Sequence, residues 1–312
     1  MTVESPSSMS SPVSPADPAL AAAYAACARL ASAHYENFPV ASWLLPAPMR
    51  PHIAAIYAFA RIADDFADEG HRPAGERLRL LDDWGRRLRA CLTPEPGRGD
   101  HPRPDEALHR SLFLALGNTI AVCRLPVELF EDLLSAFRQD VRVHRYESWD
   151  QLLDYCRRSA NPVGRLVLRV AGHRDDVLDA ASDCLCTALQ LTNFWQDLAR
   201  DHAAGRIYVP ADDRRVCGAL ESDLDRHRLT PAWRDVLTRM GDRTRGLFAG
   251  GRAVCDGVSG RLALELRLTW LGGLRILDRL ERGGYDVFTR RPTLGLPDGM
   301  LMAWRSLVWR RG

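Results

Sequence analysis

Two segments of the sequence carry polar side chains at spacings that place them on one face of an α-helix. The first stripe has offsets of 0, 4, 7 and 11 residues and consists of Tyr57, Arg61, Asp64 and Asp68. The second stripe has offsets of 0, 3, 7 and 11 residues and consists of Gln190, Asn193, Asp197 and Asp201. Because positions three and four apart are neighbours on a helix surface, each stripe offers two carboxylates one turn apart. Such a pair of carboxylates can hold a metal ion.

Both stripes interrupt segments that are otherwise apolar. A helix that is apolar around most of its circumference belongs inside a protein, so its polar stripe is expected to face something other than bulk water. Buried carboxylates are paired or coordinate a metal, and Arg61 alone cannot neutralise these aspartates together with Asp65. The alternative, common for a lone DxxxD pattern, is a solvated helix face. The apolar neighbours are Ile53, Ile56, Phe59 and Ile62 in one segment and Leu189, Leu191, Phe194, Trp195 and Leu198 in the other.

The ligand types indicate which ion the stripes would hold. Oxygen ligands without a nearby His or Cys favour hard cations, and Mg²⁺ is the natural choice. Magnesium that is held by few carboxylates keeps coordination positions that phosphate oxygens usually fill. Two acidic helices of this kind therefore predict a diphosphate site.

The composition is that of an ordinary globular protein. The 312 residues carry a net charge of +2, so the charge balance does not indicate nucleic-acid binding. The eight cysteines form no CxxC pair and no zinc-type spacing, and most of them lie among apolar neighbours. Together with the lack of a signal-peptide pattern, they favour a reducing cytoplasm. No apolar run approaches the roughly 18 residues that a bilayer span needs.

The hydrophobic pattern predicts an all-α fold. Helical periodicity begins at Pro18 and continues almost throughout, with breaks at Pro and Gly clusters. We expect a disordered leader over residues 1–17, one domain over 18–292 and a C-terminal extension over 293–312. The predicted helices lie near residues 18–33, 50–69, 74–91, 105–117, 126–140, 148–158, 162–172, 174–203, 230–257 and 260–282.

The ordered set of motifs resembles the squalene/phytoene synthase family over roughly residues 20–292. Its first part is Arg61-Ile-Ala-Asp64-Asp65-Phe-Ala-Asp68-Glu69, and its second is QLTNFWQDLARD, residues 190–201, followed by GRIYVP, residues 205–210. The resemblance implies an isoprenoid-synthase helical fold with a central apolar cavity between two Asp-rich helices. It also implies Mg²⁺ as the cofactor and a prenyl diphosphate as the substrate.

Three further segments indicate which members of the family this chain resembles most. NFPVASWLLP, SANPVGRLVL and GGLRILDRLERGGYDVF look most like the members that make hydroxysqualene in bacterial hopanoid biosynthesis. These members convert presqualene diphosphate and water to hydroxysqualene and diphosphate, by ionisation, rearrangement and a water quench without NADPH. Members that condense two prenyl diphosphates, to presqualene diphosphate, phytoene or dehydrosqualene, match the metal motifs but fit these segments less well. A catalytically silent scaffold is a third reading, although such proteins typically lose aspartates that are present here.

The resemblance implies roles for individual residues. Mg²⁺ is assigned to Asp64, Asp68, Asn193, Asp197 and Asp201. The catalytic set is Asp64, Asp68, Asp197 and Asp201, with Tyr57, Tyr155 and Asn161, and Tyr57, Tyr155, Asn161 and Tyr208 are candidates to position the quenching water. The substrate-binding set is His34, Asn37, Arg61, Gln190, Asn193, Arg206, Tyr208, Tyr285 and Arg290, with Arg291 as an alternative to Arg290.

Several of these residues also have ordinary structural explanations. His34 and Asn37 could bond within a turn, and Asn161 with Pro162 is a turn and helix start. Tyr155 and Tyr285 could be core aromatics, and Arg290 could be a solvated side chain.

The C-terminal extension mixes aromatic, aliphatic and cationic residues as interfacial helices do. The alternative is an ordinary last helix that packs on the core. The expected partners are the prenyl diphosphate, a membrane surface on its cytoplasmic side, and the pathway enzymes before and after this step. The residues of the stretch are Met300, Leu301, Met302, Trp304, Arg305, Leu307, Val308, Trp309, Arg310 and Arg311.

Overall fold

The computed structural model describes residues 17–33, 44–68, 72–92 and 104–310, and most of these residues lie in helices. Residues 1–16 of the predicted leader, together with His34 and Asn37, lie outside the described residues. The only β pairing in the described ranges is a single parallel bridge between Arg145 and Ile207. The helices are α1 Pro18–Ala33, α2 Arg50–Asp68, α3 Ala74–Ala90, α4 Pro104–Cys123, α5 Glu128–Asp140, α6 Trp149–Ser159, α7 Asn161–Val170, α8 Asp176–Ala203, α9 Ala211–Cys217, α10 Glu221–Asp225, α11 Pro231–Gly257, α12 Gly260–Arg282 and α13 Leu296–Leu307.

The all-α prediction is confirmed, and most helix bounds agree with the expected ones to within two residues. One bound is wrong: α4 was expected to end near Gly117 but continues to Cys123. A Cβ at Gly117 would lie 2.8 Å from the carbonyl oxygen of Cys91, so this glycine permits a close helix contact and does not end the helix. The short helices α9 and α10 were not predicted, because seven and five residues are too few to show a periodic pattern.

The described chain divides into two compact units, with the division between Leu134 and Ser135 and with Leu44–Pro46 in the second unit. The first unit is built around Trp84, whose indole nitrogen donates to the carbonyl oxygen of Phe59 over 3.2 Å. The ring of Phe113 meets the Trp84 ring edge-on at 4.6 Å between centroids. Helix α2 packs against α1, α3 and α4 in this unit, so the apolar part of α2 is held by three helices.

The second unit is centred on the long helices α8 and α11, which pack along each other. Trp195 of α8 is fully buried and donates from its indole nitrogen to the hydroxyl oxygen of Thr244 over 2.9 Å. Gly251 of α11 allows the two backbones to approach closely, because a Cβ there would lie 2.7 Å from the amide nitrogen of Leu185. Among the described residues, no helix has the length and apolar character for crossing a bilayer.

The close approach of α8 and α11 gives a stability prediction with a control in the same helix. Gly251→Ala is expected to lower the free energy of unfolding by about 1–3 kcal/mol, because the added methyl group meets backbone that cannot rotate away. Gly246→Ala, which has nothing within 4 Å of the added Cβ, is expected to raise it by about 0.5–1 kcal/mol. Urea unfolding of both variants measures the difference, and equal stability would contradict the packing described here.

Candidate active site

The first polar stripe lies on the accessible side of α2. Ile56, Phe59 and Ile62 are buried, whereas the Asp64 side chain keeps 42 % of its area exposed and Asp68 is exposed. The expectation that these carboxylates are buried is therefore wrong. The reason is geometric, since α1, α3 and α4 cover the apolar part of α2 and leave the polar stripe uncovered.

Arginine neutralises part of the charge on the first stripe. The guanidinium of Arg61 lies 2.6 Å from an oxygen of Asp65 and 3.6 Å from an oxygen of Asp64. Tyr57 lies one turn earlier on α2 and is partly buried, and this burial raises the pKa of its hydroxyl above the ordinary value. The nearby Arg61 opposes that rise, while Asp64 adds to it.

Two arginines lie beside the aspartates of the second stripe, and one of them, Arg291, is 94 positions from its partner. Arg291 binds Asp197 with two parallel hydrogen bonds, from Nε over 2.5 Å and from Nη2 over 3.0 Å. A guanidinium of Arg206 lies 3.9 Å from a carboxylate oxygen of Asp201. The sequence analysis predicted Arg290 as a substrate-binding residue. Its side chain is exposed and lines a cavity of about 470 Å³ that is formed by residues between 279 and 293.

The two amide side chains of the second stripe differ in exposure. Gln190 is partly buried, and Asn193 is exposed on α8. Asp197 and Asp201 keep 23 % and 16 % of their side-chain areas exposed. These carboxylates are thus less open to solvent than those of α2, but a ligand can still reach them.

The segment after α8 is fixed by backbone hydrogen bonds to the segment before α6. The amide of Ile207 donates to the carbonyl oxygen of His144 over 3.0 Å, and the amide of Ala211 donates to the carbonyl oxygen of Tyr146 over 2.9 Å. This pairing places the Tyr208 ring on the ring of Phe194, with 3.7 Å between centroids and 7° between planes.

An acid that the sequence analysis missed lies beside this aromatic stack. The buried hydroxyl of Tyr155 donates to a carboxylate oxygen of Asp140 over 3.0 Å. Burial is the main cause that raises the pKa of Tyr155 well above its usual value, and the charge of Asp140 is the second. The same two causes raise the pKa values of Tyr146 and Tyr208. The sequence feature that could have indicated this residue is its position: Asp140 is in the last turn of α5, where the helix dipole disfavours negative charge.

Two of the remaining candidates have clear structural roles. Asn161 is buried at the start of α7, and its side-chain oxygen accepts a hydrogen bond from the hydroxyl of Thr187 over 2.8 Å. Tyr285 has a left-handed backbone with φ of 58°, and its buried hydroxyl has no hydrogen-bond partner. A Cβ at Gly241 would overlap that hydroxyl, so Tyr285 occupies the space that this glycine provides.

The donor set fits magnesium. Each stripe supplies two carboxylates one helical turn apart. Mg²⁺ is typically bound by one or two carboxylates, with water and substrate phosphates completing its six positions. Two partly exposed carboxylates per helix meet that description.

Comparison with known proteins identifies the class. Residues 16–298 match the squalene/phytoene synthase family, and this chain belongs to that family. It is 40 % identical to the hydroxysqualene synthase of Zymomonas mobilis, over 68 % of this chain and 67 % of that protein. It is 38 % identical to the hydroxysqualene synthase of Rhodopseudomonas palustris, over 79 % of this chain and 80 % of that protein.

Solved structures agree with this assignment. The squalene synthase HpnC from Alicyclobacillus acidocaldarius superposes with a TM-score of 0.77 at 42 % identity, over 85 % of this chain and 95 % of that one. A dehydrosqualene synthase superposes with a TM-score of 0.78 at 19 % identity, over 93 % of this chain and 97 % of that one, which supports the fold alone. The chain therefore has the isoprenoid-synthase fold, and it is an enzyme of isoprenoid biosynthesis.

Proposed function

We propose that this enzyme converts presqualene diphosphate and water to hydroxysqualene and diphosphate. The observation that carries the proposal is the similarity to three hydroxysqualene synthases at 38–40 % identity. Phytoene synthases, which represent the condensing alternative, match at only 27–28 % identity. The condensing reaction is therefore not favoured.

The aspartates are proposed to hold Mg²⁺, which when bound supplies Lewis-acid stabilisation of the departing diphosphate. Asp64 and Asp68 would be carboxylate ligands on α2, and Asp197 and Asp201 would be carboxylate ligands on α8. Asn193 of α8 is exposed and offers a further oxygen ligand. In this proposal the carbon–oxygen bond to the diphosphate breaks and, after rearrangement, a new carbon–oxygen bond to water forms, so the enzyme would be classed as a carbon–oxygen lyase that acts on a diphosphate.

Arginines are proposed to bind the diphosphate oxygens. Arg61, Arg206 and Arg291 each lie beside an aspartate of a stripe, at 3.6 Å from Asp64, 3.9 Å from Asp201 and 2.5 Å from Asp197. Charge-assisted hydrogen bonds from a guanidinium suit phosphate as well as carboxylate, so the same side chains can serve the diphosphate. Of these two neighbours, Arg291 is preferred to Arg290 for this role, because Arg291 is the one that forms hydrogen bonds with Asp197. Gln190 is proposed to orient metal-bound water.

The aromatic stack is proposed to enclose the carbocation. Aromatic faces stabilise positive charge without offering a nucleophile. The ring of Tyr208 is stacked on that of Phe194, and Asp201 lies near enough to add to the rise that burial and Asp140 cause in the pKa of the Tyr208 hydroxyl. Tyr155 is the preferred candidate to position the quenching water, because its hydroxyl donates its hydrogen bond to Asp140 and keeps its oxygen lone pairs as acceptors. One water oxygen then bonds to the rearranged cation and loses a proton to solvent.

A second candidate function is that of a squalene synthase. The observation in its favour is the name of the 42 % identical structural relative, squalene synthase HpnC. That reaction would need a hydride donor such as NADPH, whereas the proposed one needs only water. Dependence of the product on NADPH therefore separates the two.

The proposal is tested by incubating the purified chain and Mg²⁺ with presqualene diphosphate alone or with farnesyl diphosphate alone. Hydroxysqualene is expected from presqualene diphosphate, and farnesyl diphosphate is expected to remain. Consumption of farnesyl diphosphate, with no product from presqualene diphosphate, would assign the condensing reaction instead. No turnover of either substrate would support the scaffold reading.

We also propose a cytoplasmic location. All eight cysteines are free, and burial raises the pKa of Cys156, Cys186 and Cys255 to about 12, so these thiols are kept protonated and unreactive. Free thiols in this number suit a reducing compartment. Pathway enzymes that supply the diphosphate and consume the alcohol would be present there.

A further inference from the structure

Helix α13 has its apolar face outside. Leu296, Met300, Trp304 and Leu307 keep 87, 70, 61 and 74 % of their areas exposed. Their offsets of 0, 4, 8 and 11 residues place them on one helical face. Leu301 and Val308 widen the exposed face on one side. The result is a continuous apolar surface, of the kind that marks an interaction site.

The opposite face of α13 is turned to α12 and consists of buried Asp298 and Ser306 with half-buried Met302 between them. Asp298 accepts hydrogen bonds from Arg275 over 2.8 Å and from Arg279 over 2.7 Å, both on α12. Ser306 is also buried, and its carbonyl oxygen accepts from Arg267 over 3.4 Å. A surface helix normally turns its apolar side to the core and its polar side to solvent, and α13 does the reverse.

This inversion removes the explanation of an ordinary last helix packed on the core. Ion pairs from α12 hold α13 in place, so its leucines and Trp304 are not needed to hold it. An exposed apolar face that the fold does not use is costly in water, which suggests that a partner covers it.

The charges around the face favour one kind of partner. The only acid of α13, Asp298, is buried and paired, so the exposed apolar face carries no carboxylate. Arg305 and Arg310 are exposed at the C-terminal end, and the guanidinium of Arg252 lies 4.2 Å from the ring centre of Trp309. An apolar face with a tryptophan and flanking arginines is typical of helices that lie in the headgroup region of anionic membranes.

We propose that the exposed face of α13, formed by Leu296, Met300, Trp304 and Leu307, binds the surface of an anionic phospholipid bilayer. The helix has 12 residues and spans about 18 Å, so it lies on the bilayer and does not cross it. Arg305 and Arg310 contact lipid phosphates, while the apolar side chains enter the acyl boundary. This binding holds whichever prenyl diphosphate the enzyme uses.

Vesicle flotation with the full chain tests the proposal. The chain is expected to float with vesicles of phosphatidylglycerol and phosphatidylcholine, and at least about tenfold less with phosphatidylcholine alone. The variant Met300→Ser, Trp304→Ser, Leu307→Ser is expected to lose at least about tenfold in binding. Arg305→Gln with Arg310→Gln is expected to weaken binding to the anionic vesicles and to reduce its dependence on salt.

A matched control separates this face from general surface hydrophobicity. Val177, Val216 and Leu220 are equally exposed but lie elsewhere in the second unit, at 77, 69 and 61 %. The variant Val177→Ser, Val216→Ser, Leu220→Ser is expected to bind vesicles as the unchanged chain does. Circular dichroism and melting temperature are measured for every variant, because all substitutions are on the surface and should leave the fold intact.

Two kinds of outcome would overturn the proposal. One is that the unchanged chain does not float with anionic vesicles, or that the α13 variant floats as well as the control variant. The other is that the α13 variant changes from a dimer to a monomer in light scattering without any change in vesicle binding. The second outcome would assign the face to another copy of the chain.

Discussion

Replacing Asp64 or Asp197 with asparagine is expected to lower turnover at least about 100-fold. Asparagine keeps the shape of the side chain but removes the negative charge that, in the proposed mechanism, would hold Mg²⁺ against the leaving diphosphate. Loss of charge stabilisation at a leaving group typically costs several kcal/mol in the transition state. Steady-state turnover with presqualene diphosphate measures the effect.

Folding should survive both substitutions. Asp197 loses its paired hydrogen bonds with Arg291, but both side chains are partly exposed, at 23 and 29 %, and such ion pairs contribute only about 0–1 kcal/mol. Asp64 lies 3.6 Å from Arg61, which keeps its closer partner Asp65. The melting temperatures are therefore expected to stay within a few degrees of the unchanged chain.

Each unit offers a control carboxylate that is paired with arginine but lies outside the stripes. Asp83 on α3 bonds to Arg87 over 2.7 Å, and Asp278 on α12 bonds to Arg245 over 2.9 Å. Asp83→Asn and Asp278→Asn are expected to leave turnover within about twofold, since neither touches the proposed site. Near-normal turnover in Asp64→Asn and Asp197→Asn would reject the diphosphate-site assignment.

The parts of the site that the sequence predicted are those carried by one helix. The stripes on α2 and α8 follow from the 3.6-residue period alone, which also gave the bounds of those helices to within two residues. The exposure of Asp64 did not follow, because it depends on which sides of α2 are covered by α1, α3 and α4.

Residues that meet across long sequence distances were not predicted. Arg291 and Asp197 are 94 positions apart, and nothing local in the sequence distinguishes Arg291 from Arg290. The contact between Asp140 and Tyr155 spans 15 positions and two helices. Neither periodicity nor motif spacing reports such pairs, whereas the unfavourable place of Asp140 at a helix C-terminus was a usable signal.

The sequence also could not predict which face of α13 is turned towards α12. Its residues show a helical amphipathic pattern, and that pattern is the same whether the apolar side faces in or out. The outcome depends on Arg275 and Arg279 of α12, which bind Asp298 and thereby select the polar face as the inner one.

The alcohol oxygen of the product is expected to come from solvent water. A carbocation reacts with almost any nucleophile that reaches it, so the product depends on what the enzyme admits to the cation. In the proposed mechanism a water held at the Tyr155 hydroxyl quenches the cation, and no reductant takes part. Presqualene diphosphate with Mg²⁺ in ¹⁸O-labelled water should therefore give hydroxysqualene that carries the label.

Mass spectrometry of the product, with and without NADPH, distinguishes the outcomes. Added NADPH should leave the yield of labelled alcohol unchanged. Squalene as the main product with NADPH would reassign the chain as a squalene synthase, in agreement with the name of its 42 % identical relative. Labelled alcohol with the hydroxyl on a different carbon would keep the ionisation step and reject the proposed rearrangement, because the water would then have met the cation at an earlier stage.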